Sequence, residues 1–385
     1  MMRVPEGVQD LTIIGGGVMG LFTAYYAAQF SAKIVILEQS VIGDKKTASF
    51  SYTRSIRNDY LDPLYARLAY EARTLWLDLQ RHAAEPLLIE CGCLNIATQN
   101  VTPDLAATYA AQSYNTLTDL NLHREAFSGA ELAQRFPQFT ADLGRLDVEA
   151  GLLYVPAVTQ ALLNALRARD VTIVEQVDVA TIEEHDGMVS IGTSKGDYQT
   201  RKLVITAGLK TNDVLRQLPG NSVQFPLTPD RPSQCKYFIP LPEKWEQFTS
   251  DVLPVFAYLD VGIYGHPIYA SKTIGVKIGY YNPPDVKTLN TRISDVHSFV
   301  DQCMPALRDA RAVDVQDVDQ CFYDLVGDDN FILGNVPNFD NIYVGVGWRG
   351  TGYKYAPWVG KTLMQLALQG GTVYAIDRFT PQRFA

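Results

Sequence analysis

A glycine-rich turn near the start of the chain constrains the fold more than any other feature of the sequence. The apolar residues 12–14 run directly into a G-x-G-x-x-G pattern formed by Gly15, Gly17 and Gly20. In such a pattern the first glycine permits a tight turn, the second lets the backbone approach a pyrophosphate, and the third lets a helix pack closely on a strand. The helix that follows begins with N–H groups that can bind phosphate. The pattern therefore predicts a dinucleotide-binding βαβ unit.

An acidic residue supports this interpretation. Residues 33–37 (KIVIL) are typical of a second strand, and Glu38 closes it, 18 residues after Gly20. A carboxylate at that position accepts a hydrogen bond from a ribose hydroxyl, whereas an NADP site would be expected to carry an arginine for the extra phosphate. The sequence therefore favours FAD or NAD. The alternative is a glycine-rich turn in an unrelated sheet, and the order strand, helix, strand, acid argues against it.

Length and charge narrow the class of protein. The 385 residues are enough for two or three domains of roughly 100–200 residues each, and 47% of them are hydrophobic, which suffices for a large core. The net charge is −9 and there is no long basic run, so nucleic-acid binding is not expected. Polar residues interrupt the most apolar helix, 18–30, so no membrane span is expected. The first residues lack the pattern of a signal peptide, which predicts a cytoplasmic protein.

The cysteines predict neither a disulfide framework nor a metal site. Five of them are scattered along the chain, at Cys91, Cys93, Cys235, Cys303 and Cys321. An odd, sparse set without a predicted signal peptide argues against disulfides. The Cys91-Gly92-Cys93 spacing is too tight for a zinc knuckle, and no histidine lies nearby. Buried thiols on a strand are expected there, and no bound metal.

Hydrophobic periodicity predicts mixed helices and strands. Helices are predicted at 64–80, 128–135, 158–168, 293–304 and 357–368, and strands at 87–97, 171–175, 203–208 and 342–346. The polar segment 43–57 has no helical period and predicts a loop, and 225–281 is rich in short strands. The predicted fold class is α/β, or α+β overall. The nucleotide domain is expected to be discontinuous, formed by 1–90, 150–224 and 321–385, with a β-rich substrate domain formed by 91–149 and 225–320.

Five blocks, in order, are similar to one known family. They are the turn at 15–20, TRSIR at 53–57, GVKIGY at 275–280, CFY at 321–323 and GTGYKY at 350–355, and the tail at 377–384 is similar as well. Together they resemble the flavin-dependent amine oxidases related to monomeric sarcosine oxidase and N-methyltryptophan oxidase, over nearly the whole chain. The resemblance implies a Rossmann-like FAD-binding domain of the glutathione-reductase type. It also implies a small amino-acid substrate, O2 as the second substrate, and a monomer or weak homo-oligomer.

The resemblance implies a set of cofactor-binding residues. They are Gly15, Gly17, Gly20, Glu38, Thr53, Arg54, Val177, Cys321, Gly350, Gly352 and Lys354. Cys321 stands where the family attaches FAD through a thioether, and the alternative for that residue is a small buried hydrophobe. The turn 347–352 leads to a helix whose N-terminus would place partial positive charge near the flavin pyrimidine. An ordinary β-to-α turn is the compatible alternative.

The resemblance also implies catalytic residues. Lys277 would promote oxygen reduction, because a fixed positive charge stabilises superoxide as it forms; a solvated lysine is the alternative. Arg57 and Lys354 match the family's carboxylate-binding pair, since an arginine fork grips a carboxylate and a lysine adds a point charge. Arg54 would tune the electron affinity of the ring, and Tyr264 matches a pocket tyrosine. Solvation or a phosphate contact is the alternative for the two arginines.

Several positions depart from the family's pattern. Tyr281 stands where the sarcosine oxidase branch has a histidine, and Arg349 stands where a serine is usual. Asp324 replaces a threonine and Phe50 a histidine. The substrate pocket is therefore expected to differ from that of sarcosine oxidase, and the bulky aromatic residues suggest a larger or cyclic substrate.

The expected activity is oxidation of a secondary amino acid, either an N-methyl amino acid or a cyclic imino acid. A hydride equivalent would pass from the carbon next to nitrogen to FAD, and O2 would then be reduced to hydrogen peroxide. Three alternatives remain open at this point. They are a dehydrogenase that passes electrons to a quinone or carrier protein, a nicotinamide-dependent dehydrogenase, and a non-catalytic flavoprotein.

Overall fold

The structure is a computed structural model that describes residues 7–30, 32–229, 235–280, 293, 295–314 and 322–385. Its helices are α1 (Val18–Ala27), α2 (Pro63–Gln80), α3 (Tyr109–Asp119), α4 (Gly129–Arg135), α5 (Val155–Arg167), α6 (Thr211–Leu215), α7 (Val296–Cys303) and α8 (Ala356–Met364). The first strands are β1 (Gln9–Ile14), β2 (Ile34–Leu37), β3 (Thr53–Ile56), β4 (Leu88–Ile89), β5 (Cys93–Ala97), β6 (Arg124–Ser128), β7 (Leu143–Asp147), β8 (Gly151–Tyr154), β9 (Thr172–Val174), β10 (Val179–His185) and β11 (Met188–Thr193). The later strands are β12 (Gly196–Ile205), β13 (Leu227–Pro229), β14 (Cys235–Ile239), β15 (Val255–Tyr258), β16 (Ile263–His266), β17 (Val276–Tyr280), β18 (Arg311–Asp314), β19 (Asp324–Val326), β20 (Ile332–Asn335) and β21 (Ile342–Val346).

The chain divides into two compact units. Unit 1 comprises Met1–Phe50, Val158–Arg231 and Cys321–Ala385, and unit 2 comprises Ser51–Ala157 and Pro232–Gln320. The sequence assigned 51–90 and 150–157 to the nucleotide domain and 225–231 to the substrate domain, and the structure groups each of them with the other unit. The reason is strand pairing: β3 and β4 both pair with β8 in a three-stranded sheet of unit 2.

Unit 1 is built on a parallel sheet. Strands β21, β12, β1, β2 and β9 lie side by side in parallel, and β10 and β11 extend the sheet as an antiparallel meander with β12. The strand β2 (IVIL) and the ends of β1 and β12 (residues 13–14 and 203–205) are apolar and buried, as expected where both faces of a sheet are covered. Helices α1 and α8 pack closely, because Gly360 has no side chain where it meets Phe22. The strands predicted at 171–175 and 203–208 are present as β9 and the end of β12, and both belong to this sheet.

Unit 2 is built on an eight-stranded, mainly antiparallel sheet in the order β18-β14-β17-β16-β15-β5-β7-β6. One of its faces packs on a large apolar core, which includes Leu94, Leu146, Phe256 and Ile278. Successive residues of a strand point to opposite faces, so the residues between these lie on the other face. That second face carries the polar side chains of the candidate site.

Most predicted elements are present with shifted ends. The predicted loop 43–57 is wrong at its end, because Thr53–Ile56 forms β3 and pairs antiparallel with Gly151–Tyr154. The predicted last helix, 357–368, is α8 followed by a wider helical turn at Gln365–Gln369. Within the described ranges, no helix combines the length and the apolar character needed to cross a bilayer.

Candidate active site

The glycine-rich turn of unit 1 adopts the geometry that its sequence predicts. Gly15 has a φ of +106°, and a Cβ there would lie 2.5 Å from the carbonyl oxygen of Thr206. A Cβ on Gly20 would lie 2.0 Å from the carbonyl oxygen of Gly15. The first contact is the tight turn and the second is the close packing of α1 on β1, so both glycines are required by the backbone itself.

Glu38 lies at the end of β2, facing this turn. Its Oε2 accepts a hydrogen bond from the N–H of Gly16 at 2.6 Å, and its Oε1 accepts one from the N–H of Ser40 at 2.8 Å. The backbone N–H of the buried residue Val177 donates to the carbonyl oxygen of Glu38 at 3.0 Å. These contacts fix the carboxylate beside the turn, and it keeps acceptor capacity for a ribose hydroxyl.

A cavity opens beside this turn within unit 1. Its lining includes Gly16, Gly17, Glu38, Ser49 and Thr159. The absent side chain of Gly17 keeps it open, since a Cβ there would lie 2.9 Å from Ser49 Oγ. Backbone N–H groups, a hydroxyl and a carboxylate are the groups that bind pyrophosphate and ribose. The residues present therefore fit the adenosine diphosphate part of a dinucleotide.

The second glycine-rich turn, at 347–352, is organised by a buried carboxylate. Asp324 Oδ2 accepts from the N–H of Gly347 at 2.9 Å, and its Oδ1 accepts from the N–H of Arg349 at 3.2 Å. Burial raises the pKa of Asp324, and these backbone hydrogen bonds act against the rise. Two of the family departures, Asp324 and Arg349, therefore contact each other. The Arg349 side chain in turn forms an ion pair with Asp329 at 2.6 Å.

Three further predicted residues lie at this second turn. Lys354 is buried, and its Nζ donates to Thr351 Oγ1 at 2.8 Å and to the Thr351 carbonyl oxygen at 3.2 Å. Gly350 lies against the ring of Tyr323, where a Cβ would come within 2.8 Å of it. Gly352 begins a short helical turn that leads into α8. Their roles toward a cofactor stay predictions.

In unit 2, the polar face of the large sheet brings together two residues that the sequence singled out. Lys277 on β17 is only 1% exposed, and its Nζ lies 6.0 Å from the centroid of the Tyr264 ring on β16. Gly279 makes room for that ring, because a Cβ there would lie 2.5 Å from Tyr264 Cζ. A solvated lysine is therefore wrong as an interpretation of Lys277.

Lys277 is followed by a series of hydrogen-bonded groups that includes two hydroxyls and one imidazole. Lys277 Nζ donates to Ser51 Oγ at 3.2 Å, and Ser51 Oγ donates to the carbonyl oxygen of Thr53 at 2.9 Å. Thr53 Oγ1 lies 2.8 Å from Nδ1 of His266, which is also buried. Sequence reasoning missed His266, although it lies two residues after Tyr264 and therefore on the same face of β16. The predicted cofactor role of Thr53 stays a prediction.

Arg57 is buried in unit 2 beside a carboxylate. Its Nη1 donates to Asp59 Oδ1 at 2.7 Å, to the Asp59 carbonyl oxygen at 2.8 Å and, at 3.4 Å, to the Tyr109 hydroxyl. The guanidinium carbon lies 4.4 Å from the centroid of the Tyr60 ring. Burial alone would lower the pKa of Arg57, but the carboxylate of Asp59 raises it well above its usual value. Arg57 is therefore cationic and firmly held.

A second carboxylate, Asp147, lies in the same cluster. It accepts from the backbone N–H of Asn58 at 2.6 Å and from Asn58 Nδ2 at 3.3 Å. Asn95 Nδ2 donates to Asp59. Burial, and next the charge of Asp59, raise the pKa of Asp147 to about 7. Sequence reasoning missed Asp59, Asn95 and Asp147. For Asn95 on β5 and Asp147 on β7 the usable signal was a polar residue next to a buried leucine, and for Asp59 there was none.

Comparison with known proteins identifies the family. Residues 10–366 match the model of the DAO family, described as FAD dependent oxidoreductase. The chain belongs to this family. It is 30% identical over 401 residues to the peroxisomal sarcosine oxidase of Homo sapiens, which covers 100% of this chain and 98% of the relative. It is 25% identical to the monomeric sarcosine oxidase of Arthrobacter sp. (strain TE1826), covering 97% of this chain and 96% of that protein. The L-proline dehydrogenase of P. horikoshii has a TM-score of 0.81 at 18% identity, covering 99% of this chain and 98% of that one.

Membership of this family confirms the predictions at the level of class. The protein is an FAD-dependent oxidoreductase similar to sarcosine oxidases, and the α/β fold class is confirmed. The cavity beside the first glycine-rich turn of unit 1 has the groups that bind the adenosine diphosphate part of FAD. A nicotinamide-dependent dehydrogenase is therefore the wrong alternative.

The remaining predicted residues stand as follows. Arg54 lies on β3, half-buried, opposite Leu153 of β8. Cys321 and Tyr281 lie outside the described residues. Cys93 is buried on β5, as expected, whereas Cys91 is half-buried and lies before that strand. In the described part of the chain, no three His, Cys, Asp or Glu side chains are grouped so that they could hold a metal ion.

Proposed function

We propose that the protein is an FAD-dependent oxidase of secondary amino acids, acting on the CH–NH bond of N-methyl or cyclic imino acids and reducing O2 to hydrogen peroxide. The full-length relatives named sarcosine oxidase and N-methyl-L-tryptophan oxidase support the substrate class. The observation that carries the oxidase assignment is the buried ammonium of Lys277. A lysine is almost never fully buried without a partner or a function, and this one faces the same side of the sheet as Tyr264 and His266.

The residues of this chain have distinct tasks in the proposed reaction. FAD, when bound, would supply the redox chemistry, in which a hydride equivalent leaves the carbon next to the substrate nitrogen. Arg57 binds the substrate carboxylate with its guanidinium fork, and Lys354 adds a second cation. Lys277 provides the fixed positive charge that favours reduction of O2. Arg54 modulates the electron affinity of the cofactor, and Tyr264 shapes the substrate pocket.

The proposal is tested by an anaerobic titration of the purified, FAD-loaded protein with sarcosine, N-methyl amino acids, proline and pipecolate. Bleaching of the flavin absorbance by one of them, followed by rapid return of the colour in air, is expected. Bleaching that air reverses only slowly, but that a quinone reverses quickly, would favour a dehydrogenase. Flavin that none of these amines reduces would favour a non-catalytic flavoprotein.

Covalent attachment of FAD through Cys321 is part of the proposal. A single thiolate at the ring edge is sufficient for a thioether, and the similarity of residues 321–323 to a block of the family supports Cys321 in that role. Acid precipitation is expected to leave yellow colour in the pellet of the wild-type protein and of a Cys91→Ala control. Cys321→Ala is expected to release its flavin into the supernatant. Retention of flavin by Cys321→Ala would assign the attachment elsewhere.

A cytoplasmic location and a monomeric or weakly associating state complete the proposal. The human relative is named as peroxisomal, so cell fractionation decides between the two compartments. Light scattering across a range of protein concentrations measures the state of association. A stable larger assembly would contradict this part of the proposal.

A further inference from the structure

The hydrogen bonds of Arg57 are distributed unevenly over its guanidinium group. Within the described part of the chain, every hydrogen bond that the Arg57 side chain donates comes from Nη1, and the acceptors are Asp59 and Tyr109. The edge formed by Nε and Nη2 therefore remains available, while the Tyr60 ring lies against the guanidinium at 4.4 Å. Such an edge binds a carboxylate through two parallel N–H···O bonds. Asp59 thus orients Arg57 without occupying the edge that a ligand would use.

The charge of Arg57 is nevertheless already balanced. Asp59 supplies one negative charge to the buried cluster and Asp147 supplies a second when it is ionised, against the single cation of Arg57. A ligand carboxylate would add a further negative charge in a place where burial makes unpaired charge costly.

The two amides of the cluster show where a proton is accommodated. Asn58 and Asn95 are 0% and 2% exposed, and each turns its Nδ2 to a carboxylate, which directs its Oδ1 away. Neither Oδ1 has a hydrogen-bond partner among the described residues. A proton on Asp147 would supply a donor, and rotation of the Asn58 amide would then let its Oδ1 accept it.

We propose that a carboxylate ligand binds the Nε–Nη2 edge of Arg57 while Asp59 keeps Nη1, and that Asp147 takes up one proton from solvent as the ligand binds. The net charge of the cluster of Arg57, Asp59 and Asp147 then stays unchanged on binding, since the ligand brings one negative charge and the proton one positive charge. This rests on the proposed function only in taking Arg57 as the carboxylate-binding residue. It makes Asp59 a positioning residue and Asp147 a determinant of how affinity depends on pH.

The other titratable groups around Asp147 do not supply this proton. Burial raises the pKa of Cys91 to about 11 and raises the pKa values of Cys93 and Tyr109 as well, so these groups stay neutral near pH 8. Glu149 and Asp59 are the nearby carboxylates. Each is paired with a cation, Asp59 with Arg57 and Glu149 with Arg73. The pKa of Asp147, about 7 without a ligand, rises further when a second anion approaches. Affinity for a carboxylate should therefore fall about tenfold per pH unit above that value.

Isothermal titration calorimetry of the FAD-loaded protein with propanoate tests the proposal. Propanoate does not titrate between pH 6.5 and 9 and has no amine to oxidise, and buffers of different ionisation enthalpy count the protons. About one proton taken up at pH 8 is expected, together with a loss of affinity from pH 7.5 to 9. Asp147→Asn is expected to abolish both. Asp142→Asn, a change at the exposed residue before β7, is expected to match the wild type.

Three outcomes would overturn the proposal: absence of propanoate binding, pH-independent binding to the wild type, or undiminished proton uptake by Asp147→Asn. The Asp59 variants test the orienting contact. Asp59→Asn keeps an acceptor for Nη1 and removes the competing charge, so it should bind propanoate at least tenfold more tightly than Asp59→Ala. Equal affinity of the two variants would contradict that role.

Failure of this inference is distinguishable from failure of the proposed function. Flavin that no amine reduces, in a protein that still binds propanoate with proton uptake, contradicts the oxidase and supports the inference. Amine oxidation with pH-independent propanoate binding does the reverse.

Discussion

The orientation of Lys277 in its strand could be predicted from the residues beside it. It stands in β17 between Val276 and Ile278, both of which pack into the apolar core. A lysine between two core residues of a strand must point to the other face of the sheet. The structure confirms its burial, and its role in oxygen reduction stays a prediction.

Lys277→Met is expected to slow reoxidation of the reduced flavin by O2 on the order of a hundredfold, the size of effect seen when one preorganised charge or donor is removed. Reduction by substrate should change far less, because the charge assists only the oxygen step. Stopped-flow absorbance measures both half-reactions. Lys272→Met, at an exposed lysine, serves as the control. Equal slowing of both half-reactions would remove the oxygen-site role.

Other residues of the candidate site could not be found from the local sequence. Asn95 lies between the core residues Leu94 and Ile96, and that pattern is a usable signal for a polar group on the second face. No such pattern surrounds Asp59, and its partner Arg57 lies in the segment 43–57, which we predicted as a loop. His266 meets Thr53 only through pairing of distant parts of the chain.

At the level of elements, the first βαβ unit was predictable because its tight turn and close helix packing require glycine at fixed positions in the local sequence. Gly20 is the clearest case, since α1 crosses β1 so closely that a Cβ would overlap the Gly15 carbonyl oxygen. The strand β3 was not predictable in the same way. Thr-Arg-Ser-Ile has little apolar character, and its strand conformation comes from pairing with β8, about 100 residues later in the chain.

Gly20→Ala is expected to destabilise the protein by about 1–3 kcal/mol through overpacking and to reduce its FAD content, because the turn and the helix N-terminus must shift. Gly371→Ala is the matched control, since a Cβ there has open space around it. Thermal unfolding and the ratio of flavin to protein absorbance measure the two effects. Equal behaviour of the two variants would contradict the close packing of α1 on β1.

At the level of the whole molecule, the sequence predicted two domains and a discontinuous nucleotide domain, but it placed residues 51–90 in the nucleotide domain, whereas they belong to unit 2. Hydrophobic runs identify strands, but they do not show which sheet a short strand such as β4 joins. The charge of the whole chain likewise did not reveal the buried cluster of Arg57, Asp59 and Asp147.

That cluster should leave a signature in the pH dependence of stability. The pKa of Asp147 is raised to about 7 in the folded state, whereas it is about 4 in an unfolded chain. The folded state therefore holds this proton more tightly, and the contribution of Asp147 to the free energy of unfolding falls as pH rises from about 4 to about 7. Asp147→Asn should remove that fall, so the variant should gain thermal stability relative to wild type between pH 5 and pH 8. A difference in Tm that is the same at both pH values, or that matches Asp142→Asn, would contradict this.

The most direct test of the central claim is a single-turnover measurement of oxygen use. The flavin is reduced anaerobically with one equivalent of the amine that bleaches it, and air-saturated buffer is then added while flavin absorbance and hydrogen peroxide are recorded. An FAD-dependent oxidase of secondary amino acids predicts rapid recovery of the oxidised spectrum with one hydrogen peroxide formed per flavin. Reduced flavin that persists in air, or that recovers without hydrogen peroxide, would contradict the account.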